Sequence, residues 1–135
     1  MKAVVLYHSH CNDGFGAAWA AWVHLVKDQE VTLIPVSYNK PVPPEAVIDP
    51  SATVYVVDFS YAPDTMVALA NCVKQLIWID HHKTALEAWD KYLDNCKLPA
   101  NFETKLSLNY SGAMLTWIHF SNLQPLFKTT EIAES

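Results

Sequence analysis

Apolar residues follow two alternating rhythms along this chain. Short runs rich in β-branched and aromatic residues read as buried strands: Ala3–Tyr7, Val31–Val36, Thr53–Val57 and Gln75–Ile79. Between them, apolar positions recur at helical spacing. Phe15, Ala18, Trp19, Trp22, Val23 and Val26 make one apolar face on a helix over Phe15–Lys27. Met66, Leu69, Ala70 and Val73 do the same over Pro63–Val73, with Ser60 as the cap. Leu86, Trp89 and Leu93 mark a third helix over Thr84–Tyr92, capped by Thr84. Pro35 suits an edge strand, and Pro41, Pro43, Pro44 and Pro50 make Asn39–Pro50 a loop crossing. Beyond Asp94 the rhythm weakens. Lys97–Glu103 reads as loop, Lys105–Tyr110 as a short fifth strand, and Ala113–Phe120 as an apolar helix opened by Ser111-Gly112. The pattern predicts one domain over residues 1–122 and an irregular tail over 123–135.

Strand–helix alternation with nearly continuous apolar strands implies an α/β fold: a parallel open sheet of about five strands with helices on both faces. Right-handed crossovers then bring the strand carboxyl ends to one rim, where such sheets bind ligands. Those ends carry His8-Ser9-His10-Cys11-Asn12-Asp13, Asp58, and Asp80-His81-His82. Each has a plain local reading. Asp13 suits a helix N-terminus, His8 and His10 suit a polar loop, and Asp80-His81-His82 suits a strand-end turn. Three ligand-rich ends meeting on one rim favour a shared site over three separate caps. Side-chain alternation would send Asp80 and His82 one way and His81 the other, so a common site requires the chain to turn there.

Composition narrows the chemistry. The 135 residues are 51% hydrophobic, enough for a core without disulfides, and the formal net charge is −5. That charge argues against a broad basic face for long duplex DNA, yet suits acidic ligands holding cations against a phosphate ester. No apolar run is long enough for a membrane span, and the first residues read as a strand and not as a signal peptide. Three unpatterned cysteines, Cys11, Cys72 and Cys96, point to a reducing, cytoplasmic setting. Mixed oxygen and nitrogen donors fit Mn, Fe(II), Co or Zn better than Ca.

The triplet Asp80-His81-His82, with Asp58-Phe59-Ser60 upstream and His8-Ser9-His10-Cys11-Asn12-Asp13-Gly14-Phe15-Gly16-Ala17-Ala18 at the first turn, resembles the DHH phosphoesterase superfamily. The resemblance covers roughly the first 120 residues and rests on three motifs in order. It implies a DHH-type N-terminal domain with a two-metal site, for which Mn is the first expectation here and Zn, Fe(II), Co or Mg are alternatives. His8 and Asp13 match first-motif ligands, Asp58 the bridging carboxylate and His81 a further ligand. Asp80 supports the site, and His82 lies near the scissile phosphate. Ser111 and Gly112 resemble a helix start that receives phosphate, with a plain N-cap the favoured role for Ser111. His10 is a spare ligand or a substrate contact.

Two departures bear on function. The usual Asp-x-Asp of the first motif is Cys11-Asn12-Asp13 here, so Cys11 or Asn12 stands for the first carboxylate. A Cys11 thiolate would favour a softer metal; a packed thiol would leave one position weak. The fourth-motif Asp and the second, substrate-binding domain have no counterpart before Ser135. That leaves a minimal catalytic domain, a site completed in a homodimer, or a relative without turnover. The leading expectation is a metal-dependent phosphoesterase that hydrolyses a small phosphodiester or phosphomonoester, of the short-oligonucleotide or dinucleotide class, through water activated by two metals. It would have no membrane partner. The alternative is a catalytically degenerate protein that binds a nucleotide, metal or partner protein.

Overall fold

The first strand of the chain lies inside the sheet, and this places the site. The structure, a computed structural model, describes residues 1–93 and 98–121, Leu93 by its backbone alone. The tail read as irregular and the Leu93 side chain lie outside the described residues. Strands β1 (Lys2–His8), β2 (Glu30–Val36), β3 (Thr53–Val57), β4 (Gln75–Asp80) and β5 (Phe102–Leu106) form one sheet in the order β2-β1-β3-β4-β5. All neighbouring pairs are parallel. From β1 the chain steps outward to β2, then crosses back to β3 on the other side. The switch point of this α/β fold therefore lies between β1 and β3, where a crevice opens at the strand carboxyl ends.

Helices α1 (Asn12–Leu25), α2 (Pro63–Ala70), α3 (Lys83–Leu93) and α4 (Gly112–Ser121) cover the two faces. Side-chain alternation along each strand divides the core. Ala3, Val5, Tyr55, Val57, Ile77 and Ile79 pack with Ala17, Ala21 and Leu25 of α1 and Leu115 of α4. Val4, Leu6, Val54, Val56, Leu76 and Trp78 pack with Met66, Leu69 and Ala70 of α2 and Trp89 of α3. Phe59 and Trp78 are fully buried core residues. As Pro35 implied, β2 is an edge strand. No helix among the described residues is long and apolar enough to cross a membrane.

Several local expectations shift. The Ser60 hydroxyl donates to the Tyr61 carbonyl, and α2 starts from Ala62 with Pro63 in its first turn, so Ser60 is no cap. Helix α3 begins at Lys83, with the Leu86 amide donating to the His82 carbonyl; His82, not Thr84, precedes its first turn. The fifth strand lies at Phe102–Leu106 and not Lys105–Tyr110, because Phe102 sets the register by packing edge-on against Trp89, centroids 5.3 Å apart.

The largest difference is in α1. The bulky part of the expected apolar face is turned outward, with Phe15 67% exposed, Trp19 53% and Trp22 42%, while Ala18 of that face is buried. The buried face is Gly14, Ala17, Ala18, Ala20, Ala21 and Leu25. Small residues let α1 sit low on the sheet and close to α4. A Cβ at Gly14 would fall 2.2 Å from the His8 carbonyl oxygen, and one at Gly16 would fall 3.0 Å from the Ala113 Cβ. Trp19 gains cover instead by stacking on Trp117, centroids 6.0 Å apart. Accordingly, Ala21→Leu should destabilise the protein by roughly 1–3 kcal/mol through overpacking, and Trp22→Gln, at a part-exposed position, should cost less. Urea unfolding of both variants measures this, and the reverse order would contradict the packing described.

Candidate metal centre

Three adjacent strands, β1, β3 and β4, deliver the expected residues to one rim. Asp58 follows β3 and is 1% exposed. Its backbone adopts a left-handed conformation, φ 54°, which Asp tolerates better than most residues. Its amide still donates to the Ile79 carbonyl, 2.9 Å, extending the β3–β4 ladder by one rung before the turn. The turn is pinned from below, where the buried Trp78 indole N–H donates to the Phe59 carbonyl, 2.8 Å. From above, Gly112 presses on the carboxyl group; a Cβ there would lie 2.4 Å from Asp58 Oδ1.

The chain does turn after β4, and this resolves the alternation problem. Asp80, 1% exposed, accepts the His81 amide at 2.8 Å and faces His82 Nδ1 at 2.6 Å through the same oxygen, Oδ1. His81 Nε2 reaches the other way, 2.8 Å from Asp58 Oδ1 and 3.1 Å from Asp13 Oδ2. Asp80 thus orients both histidines, one by its backbone and one by its ring. Its second oxygen, Oδ2, is buried and meets no hydrogen-bond partner among the described residues.

Asp13 is not a cap for its own helix. Its Oδ2 accepts the Gly112 amide at 2.9 Å and its Oδ1 accepts the Ala113 amide at 2.8 Å, so it caps α4 instead. The Ser111 hydroxyl accepts the Met114 amide, 3.1 Å, as an N-cap. The α4 amides at Gly112 and Ala113 therefore hold the protein's own carboxylate at the place where the sequence suggested a phosphate. Cys11 lies at the N-cap position of α1 but makes no side-chain cap bond, and its Sγ is 3.7 Å from Asp58 Oδ2. His8, at the end of β1, packs against Tyr38 and Phe59, and its Nδ1 is buried without a partner among the described residues. His10, exposed and left-handed at φ 54°, stands outside this cluster. It lines an adjoining cavity of about 690 Å³ with His8, Cys11, Phe15 and Lys40.

Two sets of donors emerge, and Asp58 belongs to both. His8, Cys11 and Asp58 form one; Asp58, Asp80, His81 and His82 form the other, with the donor atoms of each set lying within 4.8 Å of one another. Electrostatics agree with a site short of positive charge. Burial, and then the neighbouring Asp13 charge and hydrogen bond, push the Asp58 carboxyl up to about 6 despite the opposing pull of His81. At Asp13 burial works upward, but the Ala113 and Gly112 amides, Asp58 and His81 together hold the carboxyl below its ordinary value. A divalent ion would relieve the repulsion between these carboxylates, so the donor set fits one.

Tyr38 was not anticipated. Its ring stacks on Phe59, centroids 4.4 Å apart. Burial, then the charges of Asp80 and Asp58, push its hydroxyl up to about 12. The signal was available: Tyr38 follows the end of β2, on the same rim as the other strand ends.

Fold and site together define an α/β protein whose parallel sheet gathers acidic, imidazole and thiol donors at its topological switch point. A protein of Acanthamoeba polyphaga mimivirus, described as uncharacterized, is 30% identical over 135 residues, covering 93% of this chain and 30% of the viral protein. The chain thus spans less than a third of that relative's length. No family model and no solved structure matches the chain.

The raised Asp58 value has a sign that can be measured. A carboxyl that ordinarily titrates near 3.8 but is pushed up to about 6 in the fold makes the metal-free protein lose stability as pH rises through that window. Asp58→Asn should therefore stabilise the chelator-treated protein at pH 7 by roughly 1–3 kcal/mol, with little gain at pH 4. Saturating metal should reverse the order by stabilising the wild type alone. Thermal unfolding at the two pH values reads this out, and an Asn variant weaker at both would contradict it.

Proposed function

We propose that this domain is a DHH-type, metal-dependent phosphoesterase acting on a small phosphoester of the short-oligonucleotide or dinucleotide class. The observation that carries the reading is that Asp58 belongs to two donor sets, so that His8, Cys11 and Asp58 would hold one divalent ion and Asp58 with His81 a second, leaving His82 for substrate. When bound, such ions supply an activated water and neutralise charge on the phosphate. The chain's own residues supply the rest. His81, between Asp58 and Asp13, draws β3, β4 and α1 to one point. Asp80 fixes the His82 ring through Nδ1 and leaves its Nε2 for a substrate oxygen, where it can donate a proton to the leaving group. The adjoining cavity has the volume of a small-ligand site, and Lys40 and His10 in its lining suit an anionic substrate.

The second reading, a metal or nucleotide binder without turnover, is favoured by one observation. Both oxygens of Asp13 are already engaged by amides of α4, which limits what that carboxylate can offer an ion. Hydrolysis separates the two. Apoprotein reloaded with Mn, Zn, Fe(II), Co or Mg is expected to cleave a bis-aryl phosphodiester or short oligonucleotides. His82→Ala should lower kcat roughly 10²- to 10⁴-fold, and Asp58→Asn and His81→Ala should abolish metal-dependent turnover. No turnover with any metal, alongside tight binding of metal or nucleotide, would leave the binder.

A further inference from the structure

We infer that the two ion positions are unlike, and that Cys11 makes one of them a soft, zinc-class site while the other takes a harder ion such as manganese. The inference rests on the metal-centre reading and goes beyond it. One donor set is nitrogen, sulfur and oxygen, from His8, Cys11 and Asp58; the other is nitrogen and oxygen alone. Thiolate donors select Zn and Fe(II) over Mn and Mg, whereas carboxylates and water favour the latter.

The Cys11 thiol donates to Asp58 Oδ2 in the metal-free protein, and an ion can take the place of that proton with little movement. Sulfur and oxygen bound tetrahedrally to one zinc, at ordinary bond lengths, stand about 3.5 Å apart. Cys11 Sγ and Asp58 Oδ2 stand 3.7 Å apart. Cys11 also holds the N-cap position without using its sulfur as a cap, and His8 Nδ1 is buried without a partner among the described residues. Three protein donors with a fourth position open is the pattern of zinc sites that hold water or substrate. Binding would release the Cys11 S–H proton to solvent, leaving the thiolate as the donor.

Cobalt(II) reports the assignment directly, because a thiolate ligand gives it a near-ultraviolet charge-transfer absorption. Apoprotein titrated with cobalt is expected to show that band, one equivalent of zinc to remove it, and excess manganese to leave it. Cys11→Ser should lose the band and bind zinc about 10- to 100-fold more weakly, while Cys72→Ser keeps both. Cys11→Asp, which restores an all-oxygen and nitrogen set, should bind manganese at both positions. Cobalt bound without the band, or a band that survives Cys11→Ser, would overturn the inference. Turnover is no part of this readout. A band in a protein that hydrolyses nothing would sink the hydrolase reading alone, and turnover with band-free cobalt would sink the cysteine assignment alone.

Discussion

The rim of this protein is organised by the burial of one carboxylate, that of Asp58. It is 1% exposed, and its backbone is left-handed at the end of a central strand. Burying such a group is expensive unless a proton, a cation or good donors accompany it. Here the close neighbours are His81, Asp13 and the Cys11 thiol, so two carboxyl groups share one imidazole. In the metal-free protein burial and the Asp13 charge raise the Asp58 carboxyl to about 6, so protonation eases the conflict only below that pH. An ion would ease it better. The same local destabilisation that weakens the metal-free fold would favour the binding of a divalent ion.

Other parts of the structure follow from holding that carboxylate in place. Gly112 is the residue that can lie against Asp58, and its amide, with that of Ala113, grips Asp13. Asp13 thus ties the start of α1 to the start of α4, and through His81 to the end of β4. The small face of α1, with Gly14 over the His8 carbonyl, brings that helix low enough for Asp13 and Cys11 to reach the rim. Trp78 and Phe59 form the floor, and the indole N–H holds the turn after Asp58. A residue pair in the core thereby fixes the direction in which the Asp58 carboxylate points.

Much of this was legible in the chain. Apolar strand runs ending in His8, Asp58 and Asp80-His81-His82, together with the α/β rhythm, sufficed to bring those residues to one rim, because parallel sheets align their strand ends. What stayed hidden depends on contacts far apart in sequence or on which of two apolar faces wins. Asp13 read as a first-motif metal ligand, with a cap of the helix it begins as the plain alternative, yet its amide partners lie 99 and 100 residues away and it belongs to neither donor set. In α1 the bulkier stripe of Phe15, Trp19 and Trp22 outweighed the alanines in a reading by hydrophobicity. Close approach to the sheet and to α4 selects the alanines instead. Tyr38 was passed over because it follows an edge strand inside a loop.

The central claim is that Asp58 is shared by two ions. Anomalous diffraction from crystals grown with zinc and manganese tests it most directly. The account predicts two peaks about 3.5–4 Å apart, one on each side of the Asp58 carboxylate, with His8 and Cys11 at one and His81 at the other. A single ion that does not touch Asp58, or an Asp58 carboxylate still engaged with His81 and Asp13 in the presence of both metals, would contradict it.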